Sequence, residues 1–324
     1  MDNIVSWSAE DEAIIATNTD ATECKRCAVE LGYWKDDYIP YFIRHVDRKA
    51  PEINRGYYAR VRAMEMFIHQ FIERCGTKCQ IINLGCGFDT LFWRLKDSTQ
   101  AVGNFIELDF PAVTSKKCHI IKRNKQLLEK ISNEDGEVMI REGDLHSDGY
   151  HLVGCDLRCL GEVRRKLEAA GAGEGAAAPP TLVLAECVLV YLRPEAADAL
   201  LRHLAAAFPR SALLVYEQCN LGDKFGEVMV RNLSARGVSL AGAGGAGGAG
   251  PPAAQAARLR ALGFDAARCW DMHAVWRALP DDDRARVEAL EMLDERELLL
   301  QLNSHYALAV ATRSDIFADM DLNA

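Results

Sequence analysis

The chain has 324 residues, enough for one large α/β domain or two small ones. With 47 Asp and Glu against 38 Lys and Arg, its formal net charge is −9, which argues against a broad phosphate-binding surface and so against nucleic acid as a partner. It has no apolar run of about 18 residues and no basic start leading into an apolar core, so a soluble, cytoplasmic protein without a membrane partner is expected.

Eleven cysteines are scattered along the chain, a pattern of reduced thiols rather than of a disulfide set. Cys24 and Cys27 form one C-x-x-C, but no second pair or histidine cluster completes a metal site, so none is expected. Residues 1–18 show no sustained period and read as a mobile tail. Residues 20–31 predict a helix carrying Lys25 and Arg26. The aromatic loop after it, with Tyr33, Trp34 and Tyr38, packs under a ligand site or caps the core. Pro51 opens a long helix with Ile53, Tyr57, Val61, Met64, Ile68 and Phe71 in one apolar stripe. Asn54, Arg55, Tyr58, Arg62 and Glu65 fall off that stripe and Arg60 lies beside it. Such residues form a solvated face, or supply a cation for a carboxylate ligand.

Ile81-Ile82-Asn83-Leu84 then runs into Gly85-Cys86-Gly87 and on to Leu91-Phe92-Trp93, giving a strand, a tight turn and a helix. The glycines let a ligand lie against bare main chain at a helix N-terminus. A dinucleotide site wants a third glycine at position 90, and Thr90 stands there, so the pattern leans away from NAD. It resembles the first motif of S-adenosylmethionine-dependent methyltransferases.

Residues 101–109 predict a second strand ending in Glu107-Leu108-Asp109, and Asp109 is spaced from the glycine turn as a ribose-binding acid would be. The Lys- and Arg-rich stretch 116–130 reads as one helix with its charges in solvent. Residues 138–145 predict a short strand ending at Asp144, either an ordinary strand-end acid or an acceptor for an adenine amine, with the Leu145 amide donating to the ring. A helix over 161–168 is followed by a low-complexity surface linker, 169–180. Residues 181–186 form a continuous apolar run ending in Glu186, as a strand buried on both faces would. Pro194 starts another helix, and 212–217 another strand. Four strand ends thus bring Gly85, Asp109, Asp144 and Glu186 to one edge, which defines a ligand site.

Beyond residue 220 the order breaks: a helix over 223–236, a Gly/Ala/Pro run over 239–254, a strand over 266–270, a charged helix over 281–302 and a last strand over 305–312. Residues 220–300 read as an insertion over the sheet edge, a lid for a peptide-sized substrate, and 314–324 as a tail.

Lys49-Ala50-Pro51-Glu52-Ile53-Asn54-Arg55-Gly56-Tyr57-Tyr58-Ala59-Arg60, with Gly85-Cys86-Gly87, Asp109, Gly143-Asp144-Leu145, Ala185-Glu186-Cys187-Val188-Leu189-Val190-Tyr191 and Leu293-Asp294-Glu295, strongly resembles the leucine carboxyl methyltransferases. The resemblance covers about residues 20–313. It implies a Rossmann-like α/β methyltransferase domain over 19–313 that uses S-adenosylmethionine to methyl-esterify the C-terminal leucine of the catalytic subunit of protein phosphatase 2A. By the same resemblance Lys25 and Arg60 hold the cofactor's carboxylate and Gly85 lies against its methionine part. Asp109 takes the ribose, Asp144 and Leu145 the adenine, and Glu186 closes the site. Tyr191 either positions the substrate carboxylate or caps the core.

A terminal carboxyl ionises at about 3.3–3.7, so no general base is required and no catalytic dyad is sought. The chain is expected to act as a monomer. Helix 223–236 and segment 270–279 are expected to touch the folded phosphatase, with the run 241–250 as a mere connector. Two alternatives stay open: a paralogous methyltransferase acting on a carboxyl group in tRNA modification, and a phosphatase-binding module without turnover.

Overall fold

Strands that are apolar on both faces need cover on both sides, and helices supply it. The computed structural model describes residues 7–98, 102–132, 137–141, 143–244 and 249–322. Nine strands form one sheet: β1 (Gln80–Leu84), β2 (Asn104–Asp109), β3 (Met139–Arg141), β4 (Asp144–Ser147), β5 (Tyr150–Gly154), β6 (Thr181–Glu186), β7 (Ser211–Gln218), β8 (Ala266–Asp271) and β9 (Tyr306–Arg313). Their order is β3-β4-β5-β2-β1-β6-β7-β9-β8. The five central strands, β5 to β7, run parallel, and β9 inserts antiparallel between β7 and β8. The order reverses at β1, and in an open parallel sheet the cleft outside that switch point receives the ligand.

The helices are α1 (Ala9–Glu30), α2 (Ile39–Phe42), α3 (Pro51–Cys75), α4 (Leu91–Asp97), α5 (Pro111–Arg123), α6 (Lys125–Ile131), α7 (Leu160–Ala169), α8 (Pro194–Ala207), α9 (Lys224–Ser234), α10 (Pro252–Ala261), α11 (Met272–Ala278), α12 (Asp281–Glu288) and α13 (Arg296–Ser304). Successive residues of β1 feed opposite cores, as a period of two requires. Ile81 belongs to the core that holds Phe67, Phe71 and Trp93, and Ile82 to the one that holds Leu200, Leu204 and Phe208. No helix among the described residues is long and apolar enough to cross a membrane.

Several expectations are corrected. Residues 1–6 of the expected tail lie outside the described residues, but the chain is helical from Ala9. Ser8 and Asp11 cap each other reciprocally, and Asp11 also pairs with Arg158 at 2.8 Å. The far tail is anchored as well. Phe317, Met320 and Leu322 are buried, and Phe317 stacks on Phe71 with ring centroids 4.8 Å apart.

Residues 116–130 are split between α5 and α6, and Lys117, read as solvated, is fully buried against Glu107. Off-stripe Asn54 and Arg55 of α3 are buried too, reaching Glu291 and the carbonyls of Glu288 and Glu291. The charged stretch 281–302 breaks into α12 and α13 around that Glu291 contact. The linker 169–180 is not wholly surface, since Ala170, Ala172 and Ala178 are buried.

The region 220–300 is no simple insertion over the edge: β8 is the edge strand, and α10 packs on it. Met272, Val275 and Leu279 sit in the core, so 270–279 is not a free contact surface.

Candidate active site

The site starts from the turn after β1. Gly85 and Gly87 have φ of 58° and 50°, the left-handed region in which a side chain is strained. A Cβ on Gly85 would also fall 2.5 Å from a Val188 methyl, and one on Gly87 2.5 Å from Asn18 Oδ1. The turn is tied down from three sides. Gly87 N donates to Asp109 Oδ2 at 2.7 Å, and Phe88 N to Asn18 Oδ1 at 2.9 Å. From beneath, Lys117 Nζ donates to the Asp89 carbonyl at 2.7 Å and pairs with Glu107 at 2.7 Å, and Tyr150 OH reaches the same Glu107 oxygen. Burial raises the Glu107 carboxyl in spite of the Lys117 charge beside it.

Above the turn lies a cavity of about 310 Å³, within the range of small-molecule sites. Lys25, Arg60, Gly85, Asp109, Glu186 and Tyr191 all line it. Lys25 Nζ pairs with Glu186 Oε1 at 2.9 Å, and Arg60 Nε donates to the same oxygen. Burial alone would raise the Glu186 carboxyl, but these two charges hold it well below the usual carboxylate range. Two cations thus face one carboxylate, leaving a positive charge for an anionic ligand. The Arg60 guanidinium sits over the Tyr57 and Tyr216 rings, 5.3 and 4.8 Å from their centroids, a placement that stabilises a buried cation.

Asp109, at the end of β2, accepts from the amides of Gly87 and Phe110, each at 2.7 Å, and burial pushes its carboxyl up to about 6. Burial also raises the Tyr191 phenol above its ordinary value.

Asp144 and Leu145 are not on the wall. The expected strand over 138–145 is an antiparallel hairpin, β3 and β4, and the third parallel strand is β5. Asp144 gives its carboxylate to Gly154 N and Lys166, while Leu145 is fully buried in the core. At that end of the cleft the wall is built by Phe110, Cys155, Asp156 and Leu157 instead. The residues after β5 give little signal in sequence because Tyr150-His151-Leu152-Val153 is short, interrupted by His151 and flanked by Gly149 and Gly154.

Other wall residues were also missed. Asn18 fell within the supposed tail, and Tyr57 and Tyr306 were read only as members of a helix stripe and a strand. Tyr216 and Tyr306 stack at 5.4 Å, with Tyr306 on the cavity wall. Of the aromatic loop, Trp34 reaches the cavity, whereas Tyr33 is buried against Glu291.

A switch-point cleft with a glycine turn, an acid at the end of the neighbouring strand and an antiparallel strand inserted next to the sheet edge defines an S-adenosylmethionine-dependent methyltransferase. Residues 13–205 match the model of a family described as leucine carboxyl methyltransferase. The chain is 41% identical to leucine carboxyl methyltransferase 1 of Bos taurus, over 94% of this chain and 91% of that protein. It is 39% identical to the Caenorhabditis elegans protein of the same name, over 94% and 92%. It is also 34% identical to the human tRNA wybutosine-synthesizing protein 4, over 94% of this chain but 44% of that longer protein. The chain belongs to the leucine carboxyl methyltransferase family.

Proposed function

We propose that the protein methyl-esterifies the α-carboxylate of the C-terminal leucine of the catalytic subunit of protein phosphatase 2A. The observation that carries this reading is the make-up of the cavity wall. It offers a cation pair answered by one carboxylate and the phenols of Tyr57, Tyr191 and Tyr306, and among the described residues no histidine. Such a wall can bind and orient an anion, and among the described residues it brings no imidazole to serve as a base. A terminal carboxylate, ionised above about pH 4, needs none.

Bound S-adenosylmethionine supplies the methyl group on a sulfonium centre. Arg60 and Lys25 hold its carboxylate, the bare backbone at Gly85 accepts its methionine part, and Asp109 accepts from its ribose hydroxyls. With Asp144 and Leu145 off the wall, Asp156 and Leu157 take the adenine end. Tyr191 orients the substrate carboxylate. α1 lies over the cleft, with Asp20 paired to Arg236 just beyond α9, and this cover excludes water. Orientation of an already ionised nucleophile in such a site can supply roughly 7–11 kcal/mol.

The face of α9 is the surface offered to the folded phosphatase. Phe225, Met229 and Leu233 are only half-buried there, and Val228 is 46% exposed. Eleven free thiols suit a reducing, cytoplasmic setting. The test is transfer of labelled methyl to the intact phosphatase subunit beside one lacking its terminal leucine. Labelling of the intact subunit alone is expected, and equal labelling of both would overturn the assignment. Charge reversal at Arg231 should raise the KM for the phosphatase and leave cofactor affinity unchanged.

A further inference from the structure

Beyond Glu186 the chain makes a turn, residues 187–192, that supplies Cys187, Val188 and Tyr191 to the cavity wall. Its backbone is strained, because Cys187 has φ of 57°, a conformation that costs a residue with a Cβ. It is also tightly placed, with Val188 filling the space a side chain at Gly85 would need. A strained turn keeps its place only if its surroundings over-determine it.

Two groups outside the cavity do so. Glu217, on β7, is 5% exposed, and its Oε1 accepts from Val188 N at 2.8 Å and from Leu189 N at 2.7 Å. Gly242 presses on the same turn from another side. A Cβ there would meet the Leu189 carbonyl oxygen at 2.6 Å, the Leu192 carbonyl oxygen at 2.8 Å and Val190 Cα at 3.0 Å. These are backbone atoms, which cannot rotate away as a flexible side chain could. A cavity of about 30 Å³, lined in part by Leu189, Val190, Glu217 and Gly242, lies where the two meet.

We propose that Glu217 and Gly242 are positioning residues for methyl transfer: together they fix the 187–192 turn and thereby set where Val188 and Tyr191 stand against the glycine turn. A carboxylate is a costly way to hold two amides in a core. Burial pushes the Glu217 carboxyl up to about 7 although the turn's amides favour its charged form. Its Oε2 is buried with no partner among the described residues. That arrangement gives up stability, and the precise backbone it enforces is what the site gains. Gly242 belongs to a Gly/Ala run expected to be only a connector, and its described part is instead in close contact with the site.

The identity of the substrate rests on the function proposed above, but the clamp can be read without it. Four variants of the full chain, E217A, E217Q, G242A and G244A, are compared by thermal unfolding, by calorimetric affinity for S-adenosylhomocysteine, and by kcat and KM for methyl transfer to the phosphatase subunit. A Cβ at Gly244 has no neighbour within 4 Å among the described residues, so G244A is the control from the same run. E217A and G242A, folded and assayed well below their Tm, should lose at least about tenfold in kcat, with KM changed less. E217Q, whose amide oxygen can still accept from both amides, should recover most of the loss, and G244A should match the parent.

Failure of the parent chain to methylate the phosphatase would sink the function but not the clamp. Product affinity then decides, because Val188 packs on Gly85: E217A and G242A should weaken it at least about fivefold, and G244A not at all. The clamp is refuted if G242A behaves as G244A in both readouts, or if folded E217A keeps parental affinity and turnover. Should E217A not fold, G242A and E217Q carry the same decision.

Discussion

If Asp109 holds the ribose, cofactor affinity must follow its ionisation. Burial pushes its carboxyl from 3.8 up to about 6, against two amide hydrogen bonds that favour the charged form. That difference of about two pH units corresponds to about 3 kcal/mol against the carboxylate, as an order of magnitude. A folded-state value above the unfolded one means that the group's contribution to stability is fully present below about pH 4 and is lost as the pH rises through about 6.

Ligand binding should run the other way, since two ribose hydroxyls are best met by an acceptor-only carboxylate. At pH 5 about one molecule in eleven would be ionised, so affinity should fall about tenfold from its plateau, or about 1.4 kcal/mol, with the slope vanishing above about pH 7. Calorimetry with S-adenosylhomocysteine from pH 5 to pH 8 measures this directly, with proton release on binding at the acid end as a second reading. D109N keeps the shape and removes the titration. It should bind about 1.5–3 kcal/mol more weakly and without the slope. A flat profile in the parent chain would refute the argument, and so would an unchanged slope in D109N, which would place the titrating proton on another wall acid.

Two further outcomes test the supports of the glycine turn. K117M leaves Glu107 buried without its cation and should cost about 3–5 kcal/mol in urea unfolding at pH 8, with E107Q/K117M recovering most of it; a loss under about 1 kcal/mol would show that Lys117 is not what holds that carboxylate. N18A removes the acceptor of Phe88 N and should weaken S-adenosylhomocysteine about five- to tenfold, the equivalent of roughly 1–1.4 kcal/mol, while unchanged affinity would mean that α1 covers the cleft without bracing its floor.

The parallel core of the sheet was legible because its signals are local. Ile81 to Leu84 is apolar but for Asn83, and Thr181 to Glu186 is an apolar run closed by an acid; the residues that end them, Gly85 and Glu186, stand on the cavity wall with Asp109. Asp144 misled because a strand-end acid looks the same in an antiparallel hairpin as in a parallel strand. Pairing partners distinguish the two, and here Asp144 meets Gly154 N across the β4–β5 ladder. Lys117 was lost for a related reason. A lysine among lysines reads as solvent-facing, and only the tertiary position of Glu107 makes its burial tolerable. Asn18 escaped because α1 is weakly amphipathic, with Asp11, Thr22, Cys27 and Ala28 as its buried residues, so no apolar stripe announces the face that covers the cleft.

Low-complexity sequence poses the sharpest case. A run such as Ala241-Gly242-Ala243-Gly244 has too little apolar surface to build a core of its own, and composition rightly excludes one. Composition says nothing about what such a run can approach. The absence of a side chain that denies it a core is what lets one backbone come to within contact of another, and at Gly242 that other backbone is the turn carrying Tyr191. Gly242 and Gly244, two residues apart, are indistinguishable in sequence, yet among the described residues a Cβ would strike three backbone atoms at the first and nothing at the second. Position in the fold separates a constrained glycine from a permissive one, so the length of this run should tolerate change around Gly244 while residue 242 should not.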